Sequence, residues 1–234
     1  MSSLIALETS SSHLSLALKR EAQPLLKRKI KGNFRHSEKL IPTLDRMLQS
    51  SKLSLKKVGA FLIGLGPGSF TGLRVGFSTL KGLLASNALP CYGASSLDLI
   101  AFGADLPLHA NLAVLVDGGR EKIYFRLYTK TKSGWRPGGK AAAFSSSEIA
   151  EKLSDNTYLA GDALHRYREA IEAAAPHKKI HYLPEQKWYP SARSLVEMFE
   201  SRSPFLKKLV TPKDFTPLYL RLSEAEERRK VHAC

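Results

Sequence analysis

Three extended segments stand in a row before the first helix, and that order limits the fold more than any other feature of the chain. Leu4 to Leu7 is a compact apolar run, Leu14, Leu16 and Leu18 alternate within His13 to Leu18, and Pro24 to Ile30 is a third extended stretch. A doubly wound parallel sheet would separate such strands with helices, so three in succession point to antiparallel hairpins instead. From His36 onward Leu40, Ile41, Leu44, Met47 and Leu48 fall on one helical stripe, with Pro42 near the first turns, where proline costs least. Val58 to Ile63 reads as a buried strand. Gly64 to Gly72 forms a turn into a helix that runs to about Ser86, a short strand follows near Leu89 to Tyr92, and Ser95-Ser96-Leu97-Asp98 reads as a capping box opening a third helix.

The same order begins again at Asn111. Leu112 to Val116 is a strand ending at Asp117, Gly118-Gly119 a hairpin turn, Ile123 to Tyr128 a second strand, and a third follows near Trp135 to Phe144. A helix from Ser147 to Leu153, a strand at Thr157 to Ala160 and a helix from Ala163 to Ala174 complete the copy. Two βββαβα units in tandem predict an α/β fold of the duplicated ribonuclease-H-like kind, the architecture of actin-like ATPases (the ASKHA group) and hexokinase-type sugar kinases. The division falls near residues 104 to 110, giving an N-terminal lobe over 1–106 and a C-terminal lobe over 107–234.

Charge and cysteine usage bound the setting. Thirty-six Lys and Arg against 21 acids give a net charge of +15, which favours nucleic acid, acidic ligands or an acidic partner surface. The excess is concentrated: Lys19 to Lys57 holds 12 basic and 3 acidic residues. A solvated face and direct phosphate contact both account for it. Cys91 and Cys234 stand alone, with no CxxC or Cys/His cluster, so neither a disulfide framework nor a zinc knuckle is expected. The start of the chain has no basic region followed by a long apolar run, and no stretch reaches the ~18 apolar residues a membrane span needs. A cytoplasmic protein without a membrane anchor is the expectation.

Two clusters could carry chemistry. Gly66-Pro67-Gly68 requires unrestricted backbone, and Ser69 and Thr71 can cap the helix that follows, leaving its N–H groups to meet an anion. No lysine occurs between Lys57 and Lys81, so the segment is not a P-loop, and Thr71 stands where GxGxxG needs its third glycine. A tight strand-to-helix turn and a phosphate loop are both open. Glu8, with Thr9 and Ser10 after it, ends the first strand as Asp117 ends its counterpart in the second half; across one cleft the two carboxylates could hold a divalent metal with nucleotide phosphates. A turn in which serine and threonine satisfy local backbone groups is the alternative. His177 and His181 have a helical ligand spacing, but Pro176 and the extended Ile180 to Leu183 break that geometry, and no HExxH or Gly-x-Ser-x-Gly occurs. The Asp117 to Tyr124 stretch reads as a charged hairpin.

Four segments together resemble the TsaB (YeaZ) family of transfer RNA threonylcarbamoyladenosine biosynthesis. They are Leu4-Ile5-Ala6-Leu7-Glu8-Thr9-Ser10, His36-Ser37-Glu38-Lys39-Leu40-Ile41-Pro42, Gly66-Pro67-Gly68-Ser69-Phe70-Thr71-Gly72-Leu73-Arg74-Val75-Gly76, and Asp117 through Tyr124. Pro217-Leu218-Tyr219-Leu220-Arg221 resembles the family's C-terminal tail. The resemblance implies an actin-like two-lobed fold and a non-catalytic scaffold that binds and activates the catalytic subunit TsaD, alongside the ATPase subunit TsaE. It implies no catalytic residue and no metal ligand here, no cofactor held tightly by this chain alone, and ATP, magnesium and a catalytic metal in the partner subunits. The catalytic relative carries an HxxxH, and Ser95 to Leu99 in the corresponding place holds no histidine. Glu8 stands where the family usually has aspartate.

The family's partner contacts use the helices of the first lobe, which implies the helices from His36 and from Thr71 in this chain. Gly72 and Gly76 leave a smooth stripe for close approach, so the expected interface holds His36, Leu40, Leu44, Gly72, Val75, Gly76 and Thr79. The same helices could form a homodimer, and the basic 19–57 segment could hold transfer RNA. The rival function is an independent ATP-dependent kinase using Glu8, Asp117 and the loop from Gly66 to Thr71.

Overall fold

The computed structural model describes residues 3–21, 23–32, 35–85 and 89–220. Strand β1 (Ser3–Glu8) is buried along its whole length, β2 (Leu14–Lys19) nearly so, and β3 (Leu26–Ile30) keeps only its two ends half-buried. That gradient follows position in the sheet. β1 is central, and β3, with Lys27, Arg28 and Lys29 outward, is an edge whose charges discourage pairing with another chain. Helix α1 (His36–Ser50) buries Leu40, Leu44, Met47 and Leu48 of the stripe read from the sequence, but Ile41, expected with them, is turned outward. Pro42 falls in its second turn, so the bond to the Glu38 carbonyl is forgone; both residues are exposed, and water can meet that oxygen.

β4 (Val58–Gly64), α2 (Phe70–Leu84), β5 (Cys91–Ala94) and α3 (Ser96–Phe102) complete the first unit. The expected end of α2 at Ser86 lies outside the described residues. Ser95 caps α3, its hydroxyl accepting from the Leu97 N–H at 3.2 Å, but the reciprocal half of the expected box is absent. Asp98 instead accepts from Tyr128 Oη at 2.7 Å and Arg126 Nη1 at 3.0 Å. A carboxylate only 6% exposed is drawn to a charged partner rather than to its own helix end.

The second unit runs β6 (Asn111–Asp117), β7 (Ile123–Thr131), β8 (Gly134–Pro137), β9 (Ala142–Phe144), α4 (Ser146–Lys152), β10 (Thr157–Ala160), α5 (Leu164–Ala174) and β11 (Ile180–Tyr182). The single strand expected from Trp135 to Phe144 is two, β8 and β9, both antiparallel to β7. Gly138-Gly139 breaks it, with Gly139 at a φ of +138°. Sheet order is β3-β2-β1-β4-β5 in one lobe and β8-β7-β6-β10-β11 in the other. In each, two antiparallel pairings precede two parallel ones. This is the duplicated ribonuclease-H-like, actin-like order that the sequence predicts.

The lobes are not divided at residue 106, however. α6 (Ala192–Glu200) packs on β1, β2 and β4 of the first sheet, where Ala192, Leu195, Val196 and Met198 join Leu4, Ala6, Ala17, Ala60 and Leu62 in one core. β12 (Lys207–Leu209) extends that sheet beside β5. Conversely, Leu97, Ile100 and Ala101 of α3 pack into the second lobe's core with Leu112 and Val114. The assignment of 107–234 to a single lobe is therefore corrected: each lobe's apolar face is closed in part by a segment from the other side of the boundary.

Candidate functional site

The turn between β1 and β2 and the glycine loop before α2 meet over a few ångströms, and the glycines make the meeting possible. A β-carbon on Gly64 would lie 1.7 Å from Glu8 Oε2, one on Gly68 2.1 Å from the Ser10 carbonyl oxygen, one on Gly72 2.1 Å from the Thr9 carbonyl oxygen, and one on Gly76 2.4 Å from Thr9 Oγ1. The smooth stripe of α2 thus seats the helix on Thr9 inside the chain. Around that seat several polar groups are engaged. Ser69 N–H donates to the Ser10 carbonyl at 2.6 Å, Gly72 N–H to Ser69 Oγ at 3.1 Å, and Ser10 N–H to Glu8 Oε1 at 2.6 Å. Ser96 adds two more contacts, from its N–H to the Gly66 carbonyl at 2.8 Å and from its hydroxyl to Ser10 Oγ at 2.7 Å.

Glu8 is fully buried, and its Oε2 has no hydrogen-bond partner among the described residues; Thr9 Oγ1 is buried and unpartnered as well. Burial pushes the Glu8 carboxyl above its ordinary range, against the lowering effect of its bonds from Ser10. A segment near the end of the described chain covers the outer side of the loop. Leu218 N–H donates to the Leu65 carbonyl at 2.7 Å, and the Tyr219 ring lies 5.2 Å from that of Phe70. Arg221, the last residue of the tail motif, lies outside the described residues.

Asp117 stands apart from this cluster, at the end of β6 in the second lobe. Its Oδ1 accepts from the Gly119 N–H at 2.8 Å, and its own N–H donates to Asp162 Oδ1 at 3.0 Å. Gly161 makes that approach possible, since a β-carbon there would be 1.8 Å from the Leu115 carbonyl oxygen. Sequence reasoning missed Asp162, although Gly161-Asp162 follows a strand as Asp117 does. Burial, helped by the neighbouring Asp117 charge, raises its carboxyl to about 6 from 3.8. A carboxyl raised in the folded state leaves the native protein holding more protons than the unfolded chain between pH 3.8 and about 6, so stability falls as pH rises through that window. Asp162→Asn keeps an acceptor for Asp117 N–H and removes the titration. Its unfolding free energy is expected to change by about 2 kcal/mol less than wild type between pH 4 and pH 7, measured by urea titration.

The seven expected interface residues divide by exposure. His36, Leu40, Leu44, Gly72 and Gly76 are buried, while Val75 and Thr79 are partly exposed on α2. His36 Nε2 donates to the Ser11 carbonyl at 2.8 Å and so ties α1 to the β1–β2 turn. Thr71 is exposed at the start of α2. Outward residues of the same helices were missed: Ile41 is 50% exposed, and a groove of about 680 Å³ between the ends of α1 and α2 is lined by Leu48, Leu53, Leu55 and Leu83, with Gly82 opening it. Helical spacing places Ile41 on the Asp45–Gln49 side of α1 and Val75 and Thr79 on the Gly82–Leu83 side of α2, so they continue the groove. His181 lies on β11, stacked on Tyr158 at 4.8 Å. Among the described residues no group of three or more His, Cys, Asp or Glu side chains is placed to hold a metal, and no helix is long and apolar enough to cross a membrane.

Comparison with known proteins bears on these features directly. The family model described as TsaD, tRNA N6-adenosine threonylcarbamoyltransferase, matches residues 32–228. A tRNA threonylcarbamoyladenosine biosynthesis protein TsaB of Haemophilus influenzae is 27% identical over 229 residues, covering 93% of both chains. That of Escherichia coli is 27% identical over 155 residues, 64% of each. A solved structure described as YeaZ from Pseudomonas aeruginosa superposes with a TM-score of 0.76 at 25% identity, over 94% of this chain and all of that one.

Proposed function

This chain belongs to the TsaD-type family, on its TsaB (YeaZ) branch, and from that membership we propose that it serves the threonylcarbamoyladenosine modification of transfer RNA as a subunit that binds and activates TsaD without turnover of its own. The observation that carries the reading is the contrast between its two candidate surfaces. At the glycine loop, the N–H groups of Ser10, Ser69 and Gly72 are committed within the chain, the carboxyl of Glu8 is sealed behind Gly64, and Leu218 and Tyr219 lie across the outside. Phosphate recognition needs such donors free, and magnesium needs an ionised, reachable carboxylate.

On the other side, α1 and α2 present Ile41, Val75, Thr79 and the leucine-lined groove outward, an apolar strip on rigid elements of the kind that interfaces bury. TsaD docks there; TsaE joins the assembly, and ATP, magnesium and the catalytic metal are held by those partners in the cytoplasm. In their absence the same face pairs two copies of this chain. Mixing the purified chain with TsaD and following elution by light scattering is the test. A stable complex, with no ATP hydrolysis by the free chain, is expected. Failure to co-elute, together with micromolar ATP binding and hydrolysis by the chain alone, would replace this reading with that of a kinase.

A further inference from the structure

The outer strand of the first sheet carries a row of cations with a direction to it. Pairing sets Lys27 opposite Ala17 and Lys29 opposite Ser15, so both lie on the α6 face of the sheet, and alternation puts Lys31, one residue past the strand, on the same side. Arg28, opposite Leu16, points to the other face. All four are exposed, and among the described residues none forms an ion pair with a carboxylate.

The row leads to the crevice between the lobes. There the His13 ring lies 3.8 Å from that of Tyr189, Lys29 Nζ is 4.9 Å from the Tyr189 centroid, and His165 Nε2 is 2.8 Å from Tyr189 Oη. Burial and the nearby Lys29 and Lys31 hold His13 down at about 4, and burial and Lys31 lower Lys29 itself. Glu185 is the acid that acts on both, and it also faces His165 at 3.6 Å. Guarding a sheet edge needs a lysine or two. It does not call for three lysines on one face, with Lys29 set over a tyrosine ring and held close enough to Lys31 to feel its charge, a repulsion that a polyanion would relieve.

We propose that the Lys27–Lys29–Lys31 row, with Tyr189 beside Lys29, is a docking strip for the phosphodiester backbone of a structured RNA. The choice of RNA rests on the transfer RNA reading above. Phosphates lie along the lysines, and the tyrosine offers a face for an unstacked base. An anionic membrane would also meet the charge, but among the described residues the apolar neighbours of the row, Leu25, Leu26 and Ile30, are packed in part against the cores, and none is a fully exposed anchor for lipid.

The test uses the whole chain and an unmodified transfer RNA transcript, with binding read by fluorescence anisotropy over a range of potassium chloride. Lys27→Gln/Lys29→Gln/Lys31→Gln is expected to weaken binding at least about tenfold and to reduce the slope of log K against log salt by about 2 to 3. Lys207→Gln/Lys208→Gln/Lys213→Gln, which removes as much charge from exposed positions on and after the opposite edge strand, is expected to change affinity less than about threefold. The triple arginine variant of the strip should bind as wild type and serves as the control for folding. Equal losses in both glutamine variants, an unchanged affinity in the strip variant, or tighter binding to phosphatidylserine vesicles than to RNA would each overturn the proposal. Co-elution with TsaD, measured on the same variants, should persist when RNA binding is lost. A wild-type chain that binds RNA through the strip but not TsaD would defeat the functional reading and leave the strip standing.

Discussion

Val75→Arg combined with Thr79→Arg is expected to abolish co-elution with TsaD while the melting temperature stays within about 4 °C of wild type. The two positions lie one turn apart on α2, partly exposed, flanking the groove that Leu48, Leu53, Leu55 and Leu83 line. In the free chain both arginine heads reach water, and the cost to the fold is limited to the packing of Val75, which lies in part against the first core, about 1 kcal/mol. In a docked assembly both guanidinium groups would be covered without a counter-charge, and leaving a buried charge unpaired costs about 3 kcal/mol or more each. Two such penalties weaken association by more than about a thousandfold. Calorimetric titration of TsaD into the double variant checks this. Undiminished affinity would remove α2 from the interface and require a different face.

Gly72→Ala is expected to destabilise the protein by about 3–4 kcal/mol although it adds a single methyl group to a helix. Alanine is the better helix former, and on propensity alone the change should help by about 1 kcal/mol. The position overrides propensity. A β-carbon would stand 2.1 Å from the Thr9 carbonyl oxygen and 3.0 Å from His36 Cδ2, and the first of these is backbone that cannot swing aside. α2 must lift from the β1–β2 turn, which also loosens the bond from His36 to Ser11. Gly82→Ala is the matched comparison in the same helix. Nothing lies within 4 Å of its would-be β-carbon, so it should stabilise by up to about 1 kcal/mol. Denaturant unfolding of the pair measures the difference. A loss at Gly72 no larger than the change at Gly82 would mean that the seat on Thr9 is soft.

The same residue shows how much of the molecule could be read in advance. Apolar runs bounded by turn residues and helical stripes located β1 to β3, α1, β4, α2 and most of the second copy, but not the break at Gly138-Gly139 that makes β8 and β9 two strands. The sharing of segments between lobes was not legible. α6 has the stripe of a helix, but nothing local says that Leu195 and Val196 cover strands of the first sheet that lie far earlier in the chain, and β12 is three residues long with two exposed lysines. At the site, sequence singled out α1, α2 and the glycine loop, and read the glycine stripe as open to a partner, whereas the stripe sits on Thr9 inside the chain. Spacing says that side-chain bulk is missing along one line of α2; it does not say whether Thr9 or another protein fills the gap. Ile41 was read into the buried stripe beside Leu40 because spacing alone does not set the edge of an apolar face, and Leu83 carried no signal until a neighbouring helix made a groove beside it. Asp162 lacked any signal beyond its place after a strand, since its raised proton affinity comes first from burial in the folded chain and only then from the charge of Asp117, 45 positions away.

The most direct measurement is reconstitution of threonylcarbamoyladenosine on transfer RNA from purified components, with this chain supplied as wild type, as the Val75→Arg/Thr79→Arg variant, or left out. If the chain acts by presenting α1 and α2 to TsaD, product forms with TsaD, TsaE and the wild-type chain together, falls to the level without the chain when the variant is used, and never forms with the chain alone. Product from the chain in the absence of TsaD, or full activity with the variant, would contradict the account.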